Sequence, residues 1–361
     1  MRHCIVECSR YFMRQTLAKR LFLKGETHGI AVESADATMA HNADRKPMPI
    51  KIPSGLPARA TLRAEGVMVV DDENAGPQPQ RSLRIGLLNL MPDKINTETQ
   101  IARLLGATPL LVDLTLVRMT SHVPRNTPGE HMASFYRNWS DIKDQNFDGF
   151  IITGAPIETI PFEAVRYWDE LTGIFRWTQT NVHSSFNICW AAQAALHYFY
   201  GMPRYPLDEK AFGVFRHQGL DAGSPYLSGF PADFDIPVSR WMEMRRADIP
   251  GDSGISVLMD AAETGLCLLD DPRHRALHCF NHIEYDARTL ADEYFRDRKA
   301  GKNIALPKNY FPGDCETRPP ENQWRGHAHR LFGNWLHQLA GTLADKLTTG
   351  DLHQGPSAPP C

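Results

Sequence analysis

Between residues 83 and 280 the apolar residues fall into short unbroken runs that alternate with stretches of helical spacing. Leu83-Arg-Ile-Gly-Leu-Leu-Asn-Leu90 is nearly all apolar, the pattern of a strand covered on both faces, and Met91-Pro92 ends it. Lys94 to Leu105 carries Ile95, Ile101, Leu104 and Leu105 on one helical stripe and stops at Gly106. Leu110–Val117 reads as a second strand and Glu130–Trp139 as a helix. Phe147–Thr153 reads as a third strand, running into Gly154-Ala-Pro156. Ala164–Thr180 has helical spacing. Ser185–Ile188 is a fourth strand, followed at once by Cys189 and a helix from Trp190 to Tyr200 that stops at Gly201. Further strands are expected at Ser256–Met259, Gly265–Leu269 and Ala276–Phe280, and helices at Ala287–Lys299 and Gly326–Leu347. Strand and helix in alternation predict an α/β fold, a parallel sheet with helices on both faces.

The ends read differently. Residues 1–47 scatter charge among apolar stretches too short for a signal peptide and are expected to be a disordered leader, with Met48 as an alternative start. Residues 48–345 are expected to form one α/β domain, and 346–361 a polar tail. Lys+Arg 39 against Asp+Glu 42 gives a net charge of −3, so a nucleic-acid partner has no electrostatic basis. No run of 18 uncharged apolar residues exists, so no membrane span is expected. The seven cysteines (Cys4, Cys8, Cys189, Cys267, Cys279, Cys315 and Cys361) form no CxxC pair, which argues against a thiolate zinc site and for reduced thiols in the cytoplasm. His327-Ala-His329 lacks carboxylate or thiolate neighbours, and no metal is expected there. No phosphate-cradling glycine loop is present.

Candidate chemistry centres on Asn187-Ile-Cys189-Trp-Ala-Ala-Gln. A strand that delivers a cysteine into the start of a helix is an elbow, where free N–H groups and the helix dipole favour a thiolate and an oxyanion. The same segment also suits a buried, inert thiol. Phe280-Asn-His282-Ile-Glu284 places a histidine at the tip of a strand. Glu284 shares its face if the chain stays extended, a carboxylate orienting an imidazole. A capping or surface histidine would look the same. The two segments together, in that order, suggest acyl transfer through a thioester.

Several segments, in order, carry a resemblance: Met48-Pro-Ile-Lys-Ile-Pro53, Leu88-Asn-Leu-Met-Pro-Asp-Lys-Ile-Asn-Thr-Glu98, Arg125-Asn-Thr-Pro-Gly-Glu-His131, Thr153-Gly-Ala-Pro156, Cys189-Trp-Ala-Ala-Gln193, His282-Ile-Glu-Tyr-Asp286, Tyr294-Phe-Arg-Asp297 and Asn309-Tyr-Phe-Pro312. Together they resemble the homoserine O-succinyltransferase family from about Met48 to about Leu339. The resemblance implies a flavodoxin-like sheet similar to class I glutamine amidotransferases, a homodimer, and a ping-pong route without cofactor in which an acyl-CoA is co-substrate. It implies Cys189 as nucleophile, His282 as general base and Glu284 as its partner, with Lys210, Ser239 and Arg296 at the acceptor. The family's acyl-selecting position holds Glu158. Succinyl users have glycine there, and members with glutamate use acetyl-CoA. A glutamate would also clash in charge with a succinyl carboxylate. The expectation is therefore a homoserine O-acetyltransferase of methionine biosynthesis, with succinyl-CoA as the alternative donor. Ile236-Pro-Val-Ser239 lacks the histidine that commonly precedes this serine, which keeps serine beside homoserine as acceptor.

Overall fold

A computed structural model describes residues 50–71, 82–124 and 126–349. The expected leader, most of the expected tail, Arg125 of the motif, and Cys4, Cys8 and Cys361 lie outside the described residues. The strands are β1 Ile50–Ile52, β2 Val69–Asp71, β3 Leu83–Leu88, β4 Val112–Arg118, β5 Arg137–Asn138, β6 Phe147–Ile152, β7 Val182–Ile188, β8 Tyr205–Gly219, β9 Asp233–Glu243, β10 Ser256–Ala261, β11 Gly265–Asp271 and β12 Ala276–Cys279. They join one sheet in the order β2-β1-β4-β3-β6-β7-β12-β11-β10-β8-β9, with β5 on β4.

The sheet has two halves. From β2 to β12 every pairing is parallel. From β12 to β9 every pairing is antiparallel. The expected α/β class, with a parallel sheet and helices on both faces, holds, and an antiparallel half extends that sheet. The antiparallel half comes from the long hairpin β8–β9 and the meander β10–β11–β12, and the short connections of the meander permit only antiparallel pairing.

Helices cover both faces. On one, Lys94–Leu105 and Arg325–Thr349 pack Ile101, Leu104, Leu331, Trp335 and Leu336 onto Ile85, Leu87 and Phe186. On the other, Trp168–Asn181 and Trp190–Tyr200 pack Leu171, Ile174, Phe175, Ala191 and Ala194 against Phe150 and Ile152. Burying each aliphatic or aromatic side chain is worth roughly 1.5–3 kcal/mol. The Lys94–Leu105 helix begins where expected because the Asp93 carboxylate accepts the Asn96 N–H. The Trp190–Tyr200 helix ends where expected because Gly201 takes a left-handed φ of 67°.

Three helix boundaries are corrected. The expected Glu130–Trp139 helix is Gly129–Phe135 followed by an extended Tyr136. The Tyr136 hydroxyl is drawn inward to donate to buried Glu98 while accepting from Asn89. The Ala164–Thr180 helix starts only at Trp168, after a 3-10 turn at Phe162–Ala164 and an extended Val165. The last helix, expected at Gly326–Leu347, runs Arg325–Thr349.

Topology places the site. Strand order reverses at β3, which has β4 on one side and β6 on the other. In open α/β sheets a crevice opens at such a point, beyond the carboxyl ends of the strands. The segments after β3 (Met91, Pro92) and after β6 (Gly154 to Glu158) line one cavity there. Parallel pairing of β7 with β12 sets Ile188 opposite Cys279, so the residues following both strands emerge on the same edge.

Candidate active site

Cys189 stands between β7 and the helix Trp190–Tyr200 with φ 52° and ψ −116°, a conformation rarely open to a residue with a side chain. Such strain persists only where the surroundings enforce it. Its N–H donates to Cys279 O at 2.6 Å, and its carbonyl accepts from Ala192 and Gln193. Cys189 therefore caps the helix rather than lying inside the first turn. The side chain is buried. Gly154 lies directly against it, since a Cβ there would stand 3.0 Å from Cys189 Cβ and 3.6 Å from its Sγ.

His282 follows β12, and its N–H donates to Pro237 O at 3.0 Å. Its Nδ1 lies 2.7 Å from Glu284 Oε1, and its ring stacks on Tyr285 with centroids 4.1 Å apart. Glu284 reaches the imidazole through a turn, closed by Tyr285 N–H to His282 O, and not along an extended chain as the sequence reasoning assumed. Burial works against a charged imidazole. Contacts with Cys189 and Glu284 outweigh it and hold His282 well above the ordinary histidine value. That balance favours a protonated imidazole between Cys189 and Glu284.

Both groups line a cavity of about 450 Å³. Lys210, Ser239, Arg296 and Glu158 line it too, so every site residue expected from the sequence comes together. Neither expected cation stands alone. Lys210 Nζ lies 3.2 Å from Glu293 Oε2 and 3.9 Å from Asp297 Oδ2. Arg296 Nε lies 3.0 Å from Asp297 Oδ1, with its side chain 55% exposed at the rim.

The residue that sequence reasoning missed is Glu293. It accepts hydrogen bonds from Ser239 Oγ at 2.6 Å, Tyr285 OH at 2.7 Å and Lys210 Nζ at 3.2 Å. Burial would raise its pKa, but Lys210, Ser239 and the nearby His282 and Tyr285 prevail and hold it low, so it is a carboxylate at neutral pH. A signal was present: Glu293 lies three residues before Arg296 on the same helix, the spacing that puts two side chains on one face. Glu158 sits at the other side, its carboxylate accepting the Trp241 N–H at 2.5 Å. Burial pushes its pKa up, opposed by that hydrogen bond and by Lys210.

Among the described residues no group of three or more His, Cys, Asp or Glu gathers as a metal site. The site holds a cysteine, a histidine hydrogen-bonded to a glutamate, a patch of paired charges and the half-buried Glu158 carboxyl.

Comparison with known proteins adds three findings. The profile of the family described as homoserine O-succinyltransferase matches residues 49–342. Proteins from Brucella canis, Brucella suis and Brucella abortus, each named homoserine O-acetyltransferase, are 64% identical over 292 residues, covering 81% of this chain and 95% of theirs. Among solved structures, a glutamine amidotransferase from Thermotoga maritima is similar with a TM-score of 0.49, at 13% identity, over 72% of this chain and 99% of its own. A glutamine amidotransferase from Methylobacillus flagellatus has a TM-score of 0.45 at 11% identity, over 71% and 94%.

Proposed function

This chain belongs to the homoserine O-succinyltransferase family, and from that premise we propose that it is a homoserine O-acetyltransferase working through a thioester on Cys189. The observation that carries the reading is the strained Cys189 sharing one cavity with Glu158 and with His282, whose Nδ1 is held by Glu284.

The steps follow from the positions. Cys189 sulfur attacks the acetyl carbonyl of acetyl-CoA, with its proton held on His282. The helix N–H groups at Trp190–Tyr200 face the developing oxyanion. The tetrahedral adduct collapses, CoA sulfur leaves and takes the proton from His282, and acetyl remains on Cys189. His282 then removes the proton from the homoserine hydroxyl, whose oxygen attacks the thioester. O-acetylhomoserine leaves and the thiolate is restored. Glu284 fixes the imidazole through Nδ1, leaving Nε2 for both transfers.

Homoserine is a zwitterion. The patch Glu293, Asp297, Lys210 and Arg296 offers anions for its ammonium and cations for its carboxylate, with Ser239 beside them. On the donor side, the distal carboxylate of a succinyl group would meet Glu158, whereas an acetyl methyl would not. We assign the enzyme to methionine biosynthesis in the cytoplasm, as a homodimer with acetyl-CoA as co-substrate and no further cofactor, on the basis of the family. No helix among the described residues is long and apolar enough to cross a membrane.

Incubating the protein with acetyl-CoA alone and taking its intact mass tests the thioester. The reading expects one acetyl group per chain, lost on adding homoserine and absent in Cys189→Ala. An unmodified wild-type protein that still turns over both substrates would overturn it.

A further inference from the structure

Glu158 lies on a loop bracketed by Pro156 and Pro161 in which Pro156, Thr159 and Ile160 are exposed. Only two short backbone hydrogen bonds, Ile157 N–H to Ala155 O and Ile160 N–H to Ile157 O, shape it from within. The loop is fastened from outside. Arg204, just beyond the helix Trp190–Tyr200, donates through Nη2 to Ile160 O at 2.5 Å. Its guanidinium lies over the Phe162 ring, 3.8 Å from the centroid. Phe162 in turn stacks on His197 at 4.7 Å and on Trp168 at 5.4 Å. His197 Nε2 meets Glu163 Oε1 at 2.8 Å.

One helix thus carries Cys189 at its start and, through His197 near its end and Arg204 after it, grips the far side of the loop that bears Glu158. The nucleophile and the acyl-facing carboxyl are referenced to the same rigid element. Arg204 Nη1 is buried with no protein partner among the described residues. Leaving that nitrogen unpaired has a desolvation cost, which a role in positioning offsets.

We propose that Arg204 is a positioning residue for donor selectivity: by clamping the loop at Ile160 and Phe162 it keeps Glu158 at the acyl end of the cavity, so that only a two-carbon acyl group fits. This rests on reading Glu158 as the acyl selector. Releasing the clamp lets the loop shift outward and admits a longer chain, without touching the homoserine patch.

The test is the ratio of kcat/KM for propionyl-CoA to that for acetyl-CoA, with homoserine KM and Tm measured alongside. Arg204→Met is expected to raise the ratio about 10-fold, the scale of one methylene in a binding pocket, with homoserine KM unmoved. Arg204→Lys, which keeps a cation over the ring and a donor for Ile160 O, should bring the ratio back to within about threefold of wild type. Phe162→Leu removes the ring beneath the guanidinium and should move the ratio the same way by about threefold, which guards against a single variant that folds poorly. Glu158→Gly is the control and should raise the ratio at least as much as Arg204→Met. A ratio unchanged in Arg204→Met while Glu158→Gly shifts it would overturn the clamp and leave the selector standing. A ratio unchanged in Glu158→Gly would remove the selector, and the clamp with it.

Discussion

The parallel and antiparallel halves of the sheet contribute different things. The parallel half delivers the reacting groups at strand ends, Cys189 after β7 and His282 after β12, and the parallel register of those two strands sets them on one edge. The antiparallel half, with the helix Thr289–Lys299, delivers the groups we propose to hold the acceptor: Lys210 from β8, Ser239 from β9, and Glu293 and Arg296 from the helix. Strand β12 belongs to both. On the proposed mechanism, bond-making chemistry rests on the α/β frame, and recognition of the acceptor on the hairpin added to it.

That division can be broken by substitutions that separate the two half-reactions. Cys189→Ala has the largest effect. It should lower kcat by at least ~10⁴-fold, the scale for losing a nucleophile, with the stopped reaction lying before acetyl-enzyme formation. Glu293→Gln comes next. It should slow deacylation by homoserine about 100-fold or more, since it leaves Lys210 buried without its closest anion. It should leave acetyl-enzyme formation from acetyl-CoA within about threefold of wild type. Rapid-quench mass spectrometry of the two steps checks this, and equal losses in both would erase the distinction between the halves.

Gly154→Ala is smaller. Its Cβ would press on Cys189 Cβ at 3.0 Å, and shifting the sulfur by part of an ångström should cost about 10-fold in kcat. Stability against pH sharpens the account of Glu293. Its folded pKa is held below the ordinary 4.5, so its stabilisation is present above that value and is lost as pH falls through the lowered one. The urea midpoint of wild type should therefore exceed that of Glu293→Gln by more at pH 7 than at pH 3. A gap independent of pH would contradict the ionised state. The smallest effect is expected for Arg298→Ala, which breaks an ion pair with Glu316 between exposed side chains and should leave the urea midpoint where it is in wild type.

The same division explains what was legible in the sequence. Buried parallel strands read as nearly continuous apolar runs, so β3 and β6 stood out, and Gly106 and Gly201 marked helix ends chemically. The hairpin did not. Strand β8 opens Tyr205-Pro-Leu-Asp-Glu-Lys210, with Pro206, three charged residues and an irregular register between Pro206 and Ala211, and β9 contains Asp233, Asp235 and Pro237. Such a segment shows neither an apolar run nor clean alternation. Cys189, His282 and Glu284 were readable because each sits at a break in a regular element. Glu293 showed only its helical spacing to Arg296, because its significance lies in partners 83 and 54 residues away, Lys210 and Ser239.

The most direct test of the central claim is a competition. The protein is given homoserine with equal acetyl-CoA and succinyl-CoA, and the products are read by mass spectrometry. The account predicts O-acetylhomoserine as the main product, with O-succinylhomoserine gaining when Glu158 is replaced by Gly. O-succinylhomoserine as the main product of the wild-type protein would contradict it.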